Sequence, residues 1–196
     1  MSQTDYNSIE WFKNNLLKHG LHRPNRYFVF FSNDIIQKID VDVDEEIQFQ
    51  PENITLPGRA VITTQEQYFG TVRSIPVSNL FDNNVVMTFP LSGNSVERTF
   101  FEKWMDLMVD PCNYSKGFEE SGIGLKSTVV IQTTNMSGEA IANYQLIEGY
   151  PSNIFPMNMG QQMMNDYSRL QVQFNYTSYR YTEGTNLNYT HDCQNI

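Results

Sequence analysis

Apolar residues recur at spacings of three and four over residues 8–19, where Ile9, Phe12 and Leu16 share one face. Ser8 stands at a capping position and Gly20 ends the run, so a short N-terminal helix is predicted. Arg23-Pro24-Asn25 then turns the chain into residues 26–31, aromatic and β-branched enough for a buried strand. Residues 33–46 are polar and acidic and read as a surface hairpin or insertion. Residues 47–50 alternate apolar and polar side chains, as a half-buried strand does, and continue toward Leu56 until Leu56-Pro57-Gly58 breaks the run. Residues 67–77 read as a further strand with Tyr68, Val72 and Ile75 at apolar positions. Asn83-Asn84 is a turn signal, and 85–89 is the strand after it.

The strongest helical pattern follows. Val96, Phe100, Phe101, Trp104, Met105 and Met108 fall on one face, Asn94 and Glu97 stand at capping-box spacing, and Asp110-Pro111 ends the segment. Beyond a loop with Gly117, Gly122 and Gly124, residues 127–134 form a β-rich run. Residues 135–139 read as a hairpin tip and 140–148 as the partner strand. Residues 149–156 read as a rigid, proline-bracketed connection. Over 170–181 Leu170, Val172, Phe174 and Tyr176 alternate with Gln171, Gln173 and Asn175. About seven strands, one strong central helix, no internal repeat and no βαβ alternation predict a mainly β fold. The expected architecture is an antiparallel sandwich or barrel with one packed α-helix and a short N-terminal helix. A single domain over 1–196 is expected, with an arm at 1–22, a β core at 23–181 and a tail at 182–196.

Composition narrows the function. The chain is 40 % hydrophobic and 13 % aromatic, too apolar for a disordered tail. Thirteen basic against 22 acidic residues leave a formal charge of −9, which disfavours a broad nucleic-acid-binding face. No apolar run is long enough for a membrane helix, and the first residues lack an export-signal pattern, so no membrane anchor is expected. Cys112 and Cys193 then read as reduced thiols.

Chemistry-bearing motifs are weak. Asp40, Asp42 and Asp44 alternate like an EF-hand start, but Glu45 stands where glycine is needed and Pro51 where a bidentate glutamate is needed. A looser divalent site and a solvated acidic edge both remain open. His19 and His22 flank a helix end, His191 is isolated, and no nucleophile elbow or phosphate loop occurs. Met157, Met159, Met163 and Met164 read as adaptable packing rather than a redox cluster. No catalytic residue, cofactor site or metal site is expected.

Several segments, in order, resemble the tail tube proteins of contractile-tailed bacteriophages. They are RPNRYFVF at 23–30, ITLPG at 54–58, NVVMTF at 84–89, RTFFEKWMD at 98–106, YQLIEGYPSN at 144–153 and the alternating strand from Leu170 to Tyr176. Together they span about 23–181. The acidic stretch 33–46 and the Met-rich stretch before the last strand depart from the pattern. They leave room for a tube-initiator, tube-terminator or baseplate component of the same fold. A β-sandwich binding module with an aromatic-lined pocket is the alternative outside the family.

The resemblance implies a structural virion protein, assembled in the host cytoplasm, whose hexameric rings stack into a tube inside a contractile sheath above a baseplate. Double-stranded DNA passes through the lumen without specific binding, and bacterial secretion tubes share the fold. Four strands per subunit, near 47–56, 67–77, 127–134 and 140–148, would join across neighbours into an inner barrel. On these, Gln48, Gln50, Thr71, Arg73, Thr128, Val130, Gln132, Thr134, Asn143 and Gln145 are the candidate lumen or inter-subunit positions. The loop 57–66, with Pro57, Gly58, Arg59, Thr64 and Glu66, and the N-terminal segment would meet the adjacent ring. Phe100, Phe101, Trp104, Met105 and Met108 would anchor the helix in the core. Thr63, Gln65 and Gln67, with Thr128, Gln132 and Thr134, suit a wetted wall. Six-fold repetition makes one lumen lysine into six phosphate contacts, and about 6–10 such contacts already bind DNA in a salt-dependent way. A neutral-to-acidic wall avoids that. The hairpin 127–148 would expose strand edges in isolation, so it is expected at the centre of assembly.

Overall fold

The computed structural model describes residues 13, 23–39, 50–67, 69–109, 127–161 and 166–184. The N-terminal helix expected at 8–19, the acidic run 40–46, all three histidines and both cysteines lie outside these residues, Lys13 excepted. The elements are β1 (Tyr27–Phe30), α1 (Asn33–Ile39), β2 (Asn53–Ile54), β3 (Arg59–Glu66), β4 (Arg73–Phe81) and β5 (Asn84–Pro90). They continue with α2 (Val96–Met108), β6 (Ser127–Thr134), β7 (Ala140–Ile154), β8 (Arg169–Asn175) and β9 (Ser178–Glu183). The fold is mainly β and antiparallel, as expected.

Seven strands form one sheet in the order β1-β6-β7-β8-β5-β2, with β9 also on β7, while β3 and β4 form a separate two-stranded sheet. β7 joins the two halves of the large sheet. It pairs with β9 up to Ile147 and with β6 up to Gly149, and from Tyr150 onward with β8. The switch falls at Glu148, whose φ is 56°, and at Gly149. A β-carbon on Gly149 would stand 3.2 Å from the Val129 side chain and 3.3 Å from the Ser127 carbonyl, so the close approach favours glycine. Residues 149–154 are therefore strand, not the rigid connection the prolines suggested.

Alternation places the core. Val85 faces Phe174, Met87 faces Val172 and Phe89 faces Leu170 across β5 and β8, and Val129 faces Leu146 across β6 and β7. All eight are buried and share one cluster with Val29 and Ile131. The run 170–181 breaks into β8 and β9 around Tyr176 and Thr177.

α2 closes this core. Phe100, Phe101 and Trp104 are fully buried, Met108 packs against the cluster, and Met105 is half-buried. Phe31 joins the aromatic cluster, with ring centroids 5.9 Å from Trp104 and 5.8 Å from Phe174. The capping box does not form. Ser95 caps the helix with φ 51° and no side-chain bond, while Glu97 Oε2 accepts from the Ser92 amide at 3.1 Å and hydroxyl at 2.9 Å. Glu97 thus ties down the preceding turn instead of the helix end. The helix ends at Val109, whose amide donates to the Met105 carbonyl at 3.0 Å.

The reading of 33–46 as a surface hairpin is corrected over its first half. Residues 33–39 are helical, and Ile35 and Ile39, four apart, enter the core. Three isoleucines, Ile36 packing against the same cluster, among four polar residues are too few to mark an amphipathic helix by eye, yet suffice for two turns.

Candidate functional site

The hairpin of β3 and β4 stands apart from the core. Every residue of β3 is exposed, and of β4 only Phe81 is partly buried. Its pairing puts Ala60 opposite Leu80, Ile62 opposite Ser78 and Thr64 opposite Ile75, so one face is largely apolar. Arg59 opposite Phe81, Val61 opposite Asn79 and Gln65 opposite Ser74 make the other face mixed. A register shift after Ile62 bulges the ladder beside Pro76 and Val77. Val77 is 64 % exposed, Val61 53 % and Leu80 52 %. Two strands alone are marginal in water, and exposed apolar edges invite pairing. This hairpin needs a partner surface.

Its base is built firmly. Arg59 Nη2 donates to Asn79 Oδ1 at 2.8 Å, its guanidinium lies 5.8 Å from the Phe81 ring centre, and Phe81 meets the Tyr179 ring edge-to-face at 5.5 Å. The Asp82 amide donates to the Gly58 carbonyl at 3.3 Å, and a β-carbon on Gly58 would collide with the Asp82 carboxylate. Behind the base, Tyr176 is buried and its hydroxyl has no hydrogen-bond partner among the described residues. Burial, then the nearby Asp82 and Tyr179, pushes its hydroxyl up to about 12.

The expected loop 57–66 is therefore a strand from Arg59 on, and the strand expected at 67–77 begins only at Arg73, after a turn. Thr71 and Gln50 are exposed outside strands, Arg73 pairs with Glu66, and Gln48 lies outside the described residues. Of the stretch expected at 47–56, the strand covers only Asn53–Ile54 among the described residues. The run Val61-Ile62-Thr63-Thr64 is β-branched and carried the strand signal, but the Pro57-Gly58 break masked it.

The other candidate positions sit on the outer face of the large sheet. Gln132 pairs with Asn143 and Val130 with Gln145. Gln132 Nε2 donates to Asn143 Oδ1 at 2.9 Å, and Asn143 Nδ2 donates to the Gly184 carbonyl at 2.7 Å. Thr128 is exposed, Val130, Gln132 and Gln145 are half-buried, and Thr134 and Asn143 are buried. The expectation of open edges here is corrected, because β1 covers β6 and β9 covers β7. The strand order separates Arg73 from this ladder, on a different sheet, and Thr71 lies in the connection that precedes it. At the far edge Glu52 accepts from the Tyr167 hydroxyl at 2.7 Å and Arg169 at 3.0 Å, which hold its carboxyl below the usual range.

Among the described residues no group of three or more His, Cys, Asp or Glu could hold a metal ion, and no helix is long and apolar enough to cross a membrane.

The sequence profile described as phage tail tube protein matches residues 22–182. The chain belongs to the phage tail tube protein family. Tail tube proteins are structural parts of a contractile tail, not enzymes. No curated protein matches the chain in sequence. Among solved structures, the chain is similar to one in the sheath–tube complex of an extracellular contractile injection system, the PVC particle, in its extended state. That match has a TM-score of 0.57 at 12 % identity and covers 93 % of this chain and 99 % of the other. A chain of the anti-feeding prophage baseplate matches with a TM-score of 0.56 at 15 % identity, covering 84 % and 97 %. One from the tube-terminating cap of the same particle matches at 0.57 and 11 %, covering 83 % and 91 %. These likenesses show a shared fold.

Proposed function

We propose that the chain is the subunit of the inner tube of a phage contractile tail, assembled as hexameric rings that stack. Double-stranded DNA crosses the lumen. The observation that carries this reading is the hairpin of β3 and β4, whose apolar side chains lie in water on an otherwise well-packed subunit. A ring contact that closes by rotation, and a stack that repeats along the axis, would cover it on every copy. In this reading Pro57, Gly58, Arg59, Thr64 and Glu66 contribute to stacking through the hairpin. Thr128, Val130, Gln132 and Gln145 face a neighbour or the lumen, and buried Asn143 holds Gln132 from within the subunit. The charge of −9 supports passage without adhesion. Sheath and baseplate proteins are the remaining partners.

A second reading has specific support: the baseplate and cap chains match with nearly the same TM-scores as the sheath–tube chain. A main-tube subunit lengthens without limit, whereas an end component stops at one ring. Negative-stain microscopy of purified protein at rising concentration separates the two. Tubes establish the first reading, rings that never stack establish the second, and monomers at every concentration refute both.

A further inference from the structure

Glu148 departs from ordinary backbone geometry at the point where β7 changes partners. Its φ of 56° lies in the left-handed region, which is costly for an L-residue and open to glycine. The adjacent glycine does not take that φ, because Gly149 is required by the close approach to Val129 and Ser127. Residues held in such conformations persist only where surrounding contacts fix them, and they cluster at functional positions.

Contacts that fix the bend come from the corner between β8 and β9. The Thr177 hydroxyl donates to Glu148 Oε2 at 2.7 Å, a short bond strengthened by the charge of the carboxylate. The Thr177 amide donates to the Ile147 carbonyl at 3.1 Å, and the Tyr176 amide to the Asn83 carbonyl at 3.1 Å. The bend of β7, the β8–β9 corner and the turn before β5 thus meet along one seam. On one side of it lie β1, β6, β9 and the first half of β7, and on the other β2, β5, β8 and the second half.

The shared core holds the two halves together, but apolar burial has no direction, whereas a charge-assisted hydrogen bond from corner to bend fixes an angle. Glu148 is half-buried and Thr177 exposed, so the bond adds little to overall stability. We propose that Glu148 is a positioning residue for assembly: its carboxylate, held by Thr177, sets the angle between the two halves of the sheet at which copies of the subunit close into a ring. The inference rests on the tube reading and adds to it the residue pair that sets the curvature of the subunit. In a closed ring every copy repeats the same angular error, so a small change accumulates around the closure.

The test uses the full chain. Thr177→Val removes the hydroxyl and keeps the side chain's shape, and Thr177→Ser keeps the hydroxyl. Glu148→Asn shortens the side chain with a residue that tolerates the left-handed bend. As dilute, unassembled protein, Thr177→Val and Glu148→Asn should melt within about 2 °C of the parent. Every contact of the ring is affected at once, so both should need about ten times the parent's concentration or more to form rings or tubes. Thr177→Ser should assemble like the parent. Thr177→Val and Glu148→Asn assembling at the parent's concentration overturn the positioning role and leave the tube reading intact. So does a loss of assembly that Thr177→Ser shares, or one matched by unfolding or a larger fall in melting temperature. A parent that never self-associates overturns both.

Discussion

Trp104→Ala tests whether α2 is the keystone of the subunit. The Trp104 ring is fully buried and meets Phe31, Phe100 and Phe174 at centroid distances of 5.9, 5.8 and 6.1 Å. Truncating a buried Trp removes its transfer energy and leaves a cavity, about 3–5 kcal/mol together. For a chain of this size each kcal/mol lowers the melting temperature by about 2–4 °C, so a fall of roughly 6–20 °C follows. Total stability of a domain is about 5–15 kcal/mol, so a subunit near the lower limit would be recovered unfolded or insoluble. The same helix supplies the control. Leu107 is 40 % exposed on the solvent side, and Leu107→Ala should stay within about 0.5 kcal/mol. Calorimetry on dilute, unassembled protein measures both. Equal shifts in the two variants, or a fall below about 2 °C for Trp104→Ala, would refute the packing.

Gly58→Val meets only the far end of the Asp82 side chain, so the carboxylate should swing aside at a cost of about 1 kcal/mol with the hairpin kept in place; a fall in melting temperature of more than about 4 °C would count against that. Val130→Pro removes a donor from a strand paired on both sides, to Phe30 and to Gln145, so it should unfold the subunit rather than leave a folded monomer. Circular dichroism distinguishes those outcomes. Tyr176 has its pKa raised in the folded state, so its stabilising contribution is complete below the unfolded value near 10 and is lost as pH rises toward about 12. The urea midpoint should fall more steeply over that window in the parent than in Tyr176→Phe, and parallel slopes argue against the assignment. Chelator treatment should leave folding and assembly unchanged, and a stoichiometric metal in elemental analysis would contradict that.

The sequence by itself determined the parts in which burial is local and periodic. The alternation at Leu170, Val172, Phe174 and Tyr176, the β6 run and the helical stripe around Trp104 each announce one buried face, and the structure buries them. Their order along the chain also carried the family. Tertiary structure decided what periodicity cannot encode. Residues 33–39 fold as a helix because Ile35 and Ile39 find the α2 side of the core, a contact distant in sequence. Residues 149–154 stay strand because β8 offers them an edge after the bend at Glu148. The assembly site was half legible: Pro57 to Glu66 pointed to the right stretch, but as a loop. Its strand pairs with residues 73–81, and among the described residues nothing else packs over it. Whether an edge is covered depends on which distant strand lies beside it. For that reason the hairpin 127–148, open in the sequence, is closed by β1 and β9, and the open one is β3 with β4.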